Sequence, residues 1–227
     1  MTQTGSIKYS QRIKESVPSS SNIVDRLGGG CNFKSLHMAL SLFVPKPTLI
    51  APRRTEDGAI AYFGGAFKVS SIKDDEDGYT SWHILARGSP HSGVGRKSTS
   101  TPPYHWHIHQ TETFEVKQGT MTYLFEGDEK KATKGDKVTI TPGKKHTFWS
   151  DPESDEDLVV DITVRGGSGP GFDERLQRNL FGYLSSVTEQ GSTPSLFQML
   201  VFTDSAETAL TDIPFGLGLW ANVILGR

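Results

Sequence analysis

Residues 104–150 read YHWHIHQTETFEVKQGTMTYLFEGDEKKATKGDKVTITPGKKHTFWS. His105, His107 and Glu112 fall in the spacing H-x-H-x4-E, Gly119 follows after x6, and Gly135, Pro142-Gly143 and His146 come further on. Between these positions lie short runs of β-branched and aromatic residues broken by glycine turns, the pattern of consecutive short strands. Alternate side chains of a strand share a face. His105 and His107 therefore project together, and His109 joins them if the strand stays regular. A turn within Ile108–Thr111 lets a new strand begin with Glu112, Phe114 and Val116 inward, and His146 opens a later strand behind the Pro142-Gly143 turn. Three imidazoles and a carboxylate suit one divalent transition metal, and the donor types alone admit Fe, Mn, Ni, Cu or Zn.

This arrangement resembles the cupin superfamily, whose first motif is G-x5-H-x-H-x3,4-E-x6-G and whose second is G-x5-P-x-G-x2-H-x3-N. Three positions depart from it: Thr99 replaces the opening glycine, Thr141 the first proline and Ser150 the final asparagine. None of the three is a presumed ligand. The resemblance implies a mainly β fold, an antiparallel cupin-type β-barrel (jelly roll), with His105, His107, Glu112 and His146 as metal ligands. A barrel is what lets such separated strands converge on one point. It also implies that Glu112 can swing away and act as a base. His109 is left as a catalytic proton carrier or a residue of the pocket wall. Tyr123, Phe148 and Trp149 are candidate apolar neighbours of a substrate, since such pockets are mostly apolar with few polar groups.

Composition bounds the rest. The chain has 227 residues, is 35% hydrophobic and 22% charged, and carries a net charge of −2. That is ample for one domain with extensions, and it gives no reason to expect nucleic acid or an anionic membrane as partner. The single cysteine, Cys31, excludes an intramolecular disulfide. The first residues lack the apolar core of a secretory signal, and no stretch approaches the roughly 20 apolar residues of a membrane span. A soluble cytoplasmic protein is expected.

Three regions follow from the pattern. Residues 1–50 read as a polar arm with a short helix from Asn32 to Phe43, which contains His37. Residues 51–170 read as the β domain, and 171–227 as a helical extension packed on it. Gly64-Gly65 should bend the first strands, and the acidic run Asp74 to Gly78 reads as a solvated hairpin tip. Regular short strands from Tyr104 to Gly166 favour an antiparallel sandwich or barrel. Asp173 is placed to cap a helix that runs to Gln190, with Gly191 as its stop. Thr193-Pro194 is placed to open a second helix. The apolar tail, residues 213–227, should dock on the barrel, on a dimer partner or over the pocket mouth.

The expected function is a metal-dependent enzyme acting on a small organic molecule, aromatic or polyketide-like. Oxygenation or oxidative cleavage stands first. A non-redox isomerase, cyclase or dehydratase would use the same site, with Glu112 or His109 moving a proton. A non-catalytic small-molecule-binding cupin is the third reading, because fold alone does not determine activity. The resemblance further implies a homodimer. If the C-terminal helices form a mobile lid, truncation after Gly171 should change turnover more than metal content.

Overall fold

The computed structural model describes residues 47–75, 78–167 and 172–211. The expected helix from Asn32 to Phe43, Cys31, the tip of the acidic hairpin and the apolar tail lie outside these residues. The expectation of a mainly antiparallel β architecture of jelly-roll type holds. Twelve strands are described: β1 (Arg53–Arg54), β2 (Ile60–Tyr62), β3 (Phe67–Asp75), β4 (Gly78–Leu85), β5 (His105–His107), β6 (Thr111–Gln118), β7 (Thr120–Phe125), β8 (Asp128–Thr133), β9 (Lys137–Ile140), β10 (His146–Ser150), β11 (Leu158–Arg165) and β12 (Thr208–Leu210). They form a seven-stranded sheet in the order β1-β2-β3-β4-β11-β6-β9 and a five-stranded sheet in the order β12-β5-β10-β7-β8. Among the described residues the two sheets are hydrogen-bonded separately, so the architecture is a sandwich rather than one continuous ring.

Residue alternation explains which faces meet. On β4, Tyr79, Ser81, His83 and Leu85 are buried while the residues between them are half-buried; on β11, Leu158, Val160, Ile162 and Val164 are buried. β6 repeats the pattern with Glu112, Phe114 and Val116. These inward rows form the core with Phe67 of β3 and with Met121 and Phe148 of the other sheet. Glu112 is the one carboxylate placed in this otherwise apolar row on β6, which singles it out chemically.

Two glycines shape the turns next to the strands that carry His107 and Glu112. Gly119 joins β6 to β7 at φ +71°, and a Cβ there would lie 2.6 Å from the carbonyl oxygen of Asp157. Only glycine fits that turn without displacing backbone. Gly143, at φ +80°, donates its N–H to the carbonyl of His107 at 2.8 Å, tying the Pro142-Gly143 turn to β5. The bend expected at Gly64-Gly65 is a single 3-10 turn, Phe63–Gly65.

Two helices follow β11. α1 (Glu174–Glu189) starts where expected, with the Asp173 carboxylate accepting from the N–H of Leu176 at 2.6 Å. α2 (Leu196–Ser205) begins later than the Thr193-Pro194 pair predicts, with Ser195 as its N-cap. The Ser195 N–H donates to the hydroxyl of Tyr183 at 2.8 Å, which holds this residue in extended conformation ahead of the helix. After α2 the chain enters β12, a strand the sequence reading missed. It pairs with β5 so that Thr208, Ala209 and Leu210 stand opposite His107, Trp106 and His105. No described helix is long and apolar enough to cross a membrane.

Candidate metal centre

Four of the sequence-predicted residues come together. One ligand atom from each of His105, His107, Glu112 and His146 lies within 4.8 Å of all the others. His105 and His107 are on β5, His146 is directly opposite His105 on β10, and Glu112 reaches across from β6 in the other sheet. The cluster thus sits between the two sheets. His107, His146 and Glu112 are 1%, 1% and 7% exposed, and His105 is half-buried.

The outer nitrogen of every imidazole in the cluster has a fixed acceptor. His105 Nδ1 donates to the carbonyl of Pro103 at 2.8 Å, and His146 Nδ1 to the carbonyl of Lys144 at 3.0 Å. His107 Nδ1 donates to Oε1 of the buried Gln110 at 3.0 Å. A carbonyl oxygen can only accept, so each Nδ1 carries the proton. In the neutral rings this leaves the Nε2 lone pairs facing inward, the arrangement that outer hydrogen bonds impose on metal-binding histidines. Nε2 of His107 and of His146 lie 3.3 and 2.7 Å from the same Glu112 oxygen. Lone pairs turned on a carboxylate oxygen at these distances require positive charge between them, from a proton or a cation. The donor set fits a divalent transition metal.

The electrostatics agree. Burial alone would raise the Glu112 carboxyl, but the charges and hydrogen bonds of His107 and His146 outweigh it and hold the group well below the usual carboxylate range. Burial would lower His107, and the Glu112 charge, with hydrogen bonds to Glu112 and Gln110, raises it instead. His105 is pushed down, first by burial and then by His146 and His107. The surroundings of Glu112 thus favour its ionised form, and Glu112 in turn favours positive charge on His107.

His105, His107 and Glu112 border a cavity of about 110 Å³. Its wall is mostly apolar, with Phe67, Leu85 and Phe148 from the sheets and Phe181, Leu184 and Phe202 from the two helices. That space is on the scale of a compact organic molecule. A larger surface groove, lined by Arg53, Glu56, Lys68 and Glu189 among others, includes none of the four clustered residues.

The remaining candidates separate. Phe148 lines the cavity, as expected from its sharing a strand face with His146. Trp149 does not; it is buried on the opposite face of β10, where Gly95 and Pro152 pack near it. Tyr123 is partly buried against the core and is not part of the cavity wall. His109 is a correction. β5 ends at His107, the chain bends at Ile108 and His109, and the Ile108 N–H donates to the carbonyl of Glu207. His109 is left exposed and outside the cavity, so it is in no position to move a proton there. The cavity's third histidine, beside His105 and His107, is His83 of β4, 3% exposed, which the sequence reading left among ordinary strand residues.

Comparison with known proteins was made on this background. The family model described as "Cupin domain" matches residues 96–164. The chain is 31% identical over 178 residues to a probable oxidoreductase, virH, of Hypocrea virens, covering 78% of each chain. It is 35% identical over 151 residues to an oxidoreductase, iacF, of Pestalotiopsis fici, covering 62% of this chain and 73% of that one. An epoxidase, atD, of Aspergillus terreus is 28% identical over 136 residues, covering 56% of this chain and 42% of its own.

Proposed function

Since the chain belongs to the cupin superfamily, we propose that it is a metal-dependent oxidoreductase acting on a small, largely apolar organic molecule. The observation that carries this reading is the placement of three inward imidazoles and the Glu112 carboxylate against an otherwise apolar cavity. The names of the relatives, two oxidoreductases and an epoxidase, support redox chemistry over isomerisation. When bound, a divalent transition metal would supply Lewis acidity and, as iron or copper, redox capacity.

The protein's own groups do the rest. His105, His107, Glu112 and His146 would hold the ion, with Gln110 and the carbonyls of Pro103 and Lys144 setting the ring orientations. Glu112, held ionised by His107 and His146, would serve the ion as a charged ligand and would be a weak base while so held. Phe181, Leu184 and Phe202 exclude water from above the cluster and pack the substrate body.

Elemental analysis of protein purified without added metal or chelator, next to a His107→Ala control, tests the site. Oxygen uptake by the iron-loaded protein with small aromatic and alkenyl ketones then tests the reaction. Stoichiometric iron or copper with substrate-dependent uptake supports the proposal. Turnover that continues without oxygen, with zinc in place of iron, would replace it with a non-redox isomerase, cyclase or dehydratase.

A further inference from the structure

His83 has one nitrogen in use and one that no described residue partners. Its Nε2 lies 2.9 Å from Nε2 of Gln177 and 2.8 Å from the hydroxyl of Ser81. Gln177 Nε2 also donates to Ser81 Oγ at 3.0 Å. At the other end of the same amide, the hydroxyl of Tyr79 donates to Gln177 Oε1, which turns the NH2 group toward His83. An amide NH2 can only donate. His83 Nε2 must therefore accept, and in the neutral ring Nδ1 must carry the proton. That Nδ1 is buried and has no hydrogen-bond partner among the described residues, although the ring lines the cavity beside His105, His107 and Glu112.

A buried donor left unmade is costly and rare, and it asks for an explanation. Ser100, also in the cavity wall, has a buried hydroxyl in the same condition. Among the described residues, two unpartnered polar groups thus belong to a single cavity whose remaining wall is largely apolar. We propose that His83 is a substrate-binding residue: its Nδ1–H donates to an acceptor oxygen of the substrate, a carbonyl oxygen in particular. Gln177 is its positioning residue, fixing which ring nitrogen bears the proton. The ligand class is then a compact, mostly apolar molecule with an oxygen acceptor set apart from the end that meets the cluster. This rests on the cavity being the substrate site, as proposed above.

The experiment uses full-length protein of measured metal content, with acetophenone as the acceptor-bearing probe and ethylbenzene as its acceptor-free counterpart. Nitrogen-15 NMR of histidine-labelled protein, with His83→Phe to assign the signal, reads the protonation of Nδ1 directly. The expected result is a protonated Nδ1 whose resonance shifts with acetophenone and not with ethylbenzene. His83→Phe should weaken acetophenone binding about 10-fold, the scale of one hydrogen bond, and leave ethylbenzene binding and metal content unchanged. Gln177→Glu keeps the ring but accepts a proton from Nε2, so it should also abolish the preference for acetophenone. An unprotonated Nδ1 in the wild type, or a wild type that binds both probes equally or neither, overturns the proposal. Because the comparison is between probes at one metal content, a failure of the metal assignment would appear separately, in the elemental analysis.

Discussion

His105 and His146 stand directly opposite each other on adjacent antiparallel strands, with ring centroids 4.5 Å apart. This pairing brings the first and last residues of the cluster together within one sheet, while Glu112 closes the set from the other. Any slip between β5 and β10 would separate them. His146→Ala is expected to lose bound metal almost entirely while keeping the β-rich circular dichroism spectrum, since the core rows of β6 and β11 do not depend on it.

Gln110→Leu should weaken metal binding without touching a ligand. It removes the acceptor that holds the proton on His107 Nδ1. Loss of such an outer hydrogen bond typically costs about 10- to 100-fold in metal affinity, which competition against a graded chelator will read.

Gly119→Ala should destabilise the fold more than an ordinary surface change. The new Cβ would meet Asp157 backbone at 2.6 Å, at a φ that alanine disfavours. The backbone strain alone is worth about 1–3 kcal/mol, so the denaturant midpoint should fall clearly.

Acid should weaken the protein through His83. Burial lowers its pKa from the ordinary 6.5 to about 3. Below pH 6.5 the unfolded chain takes up a proton that the folded chain refuses, so stability falls as pH drops from 6.5 toward 3. The slope from this one group approaches about 1.4 kcal/mol per pH unit. Denaturation measured across that window should show the slope reduced by one proton in His83→Phe. An unchanged slope would show that the ring is not held neutral.

Ala209→Pro should disturb the metal site from outside it. Ala209 is fully buried opposite Trp106, which lies between His105 and His107 of β5, and a proline cannot donate to the ladder. Lower metal affinity together with lower stability is expected. Removal of everything after Gly171 deletes β12 along with both helices, so metal content and folding should fall together rather than turnover alone.

Much of the centre was legible because it is local. The spacing of His105, His107 and Glu112 needs only one short strand, a turn and the next strand, and His146 needs only a glycine turn before it. What escaped depends on distant partners. His83 is brought to the site by the pairing of β4 with β11 and of β11 with β6, and its tautomer is set by Gln177 on a helix formed far along the chain. His109 misled because strand periodicity was continued two residues past the point where Glu207 captures the backbone of Ile108. Thr208–Leu210 is too short to announce itself as a strand; its identity comes from the edge it joins.

That edge also imposes an order in time. Among the described residues, the strand bearing His105 and His107 gains its outer neighbour from β12, and the Thr211 hydroxyl that bonds the carbonyl of Tyr104 lies 107 positions downstream. During synthesis, β5 leaves the ribosome with that side bare and waits for nearly half the chain to follow. Contacts so remote in sequence form late and slowly. Completion of the four-residue cluster therefore belongs to the last stage of folding, after β12 has been made and has found its place beside β5.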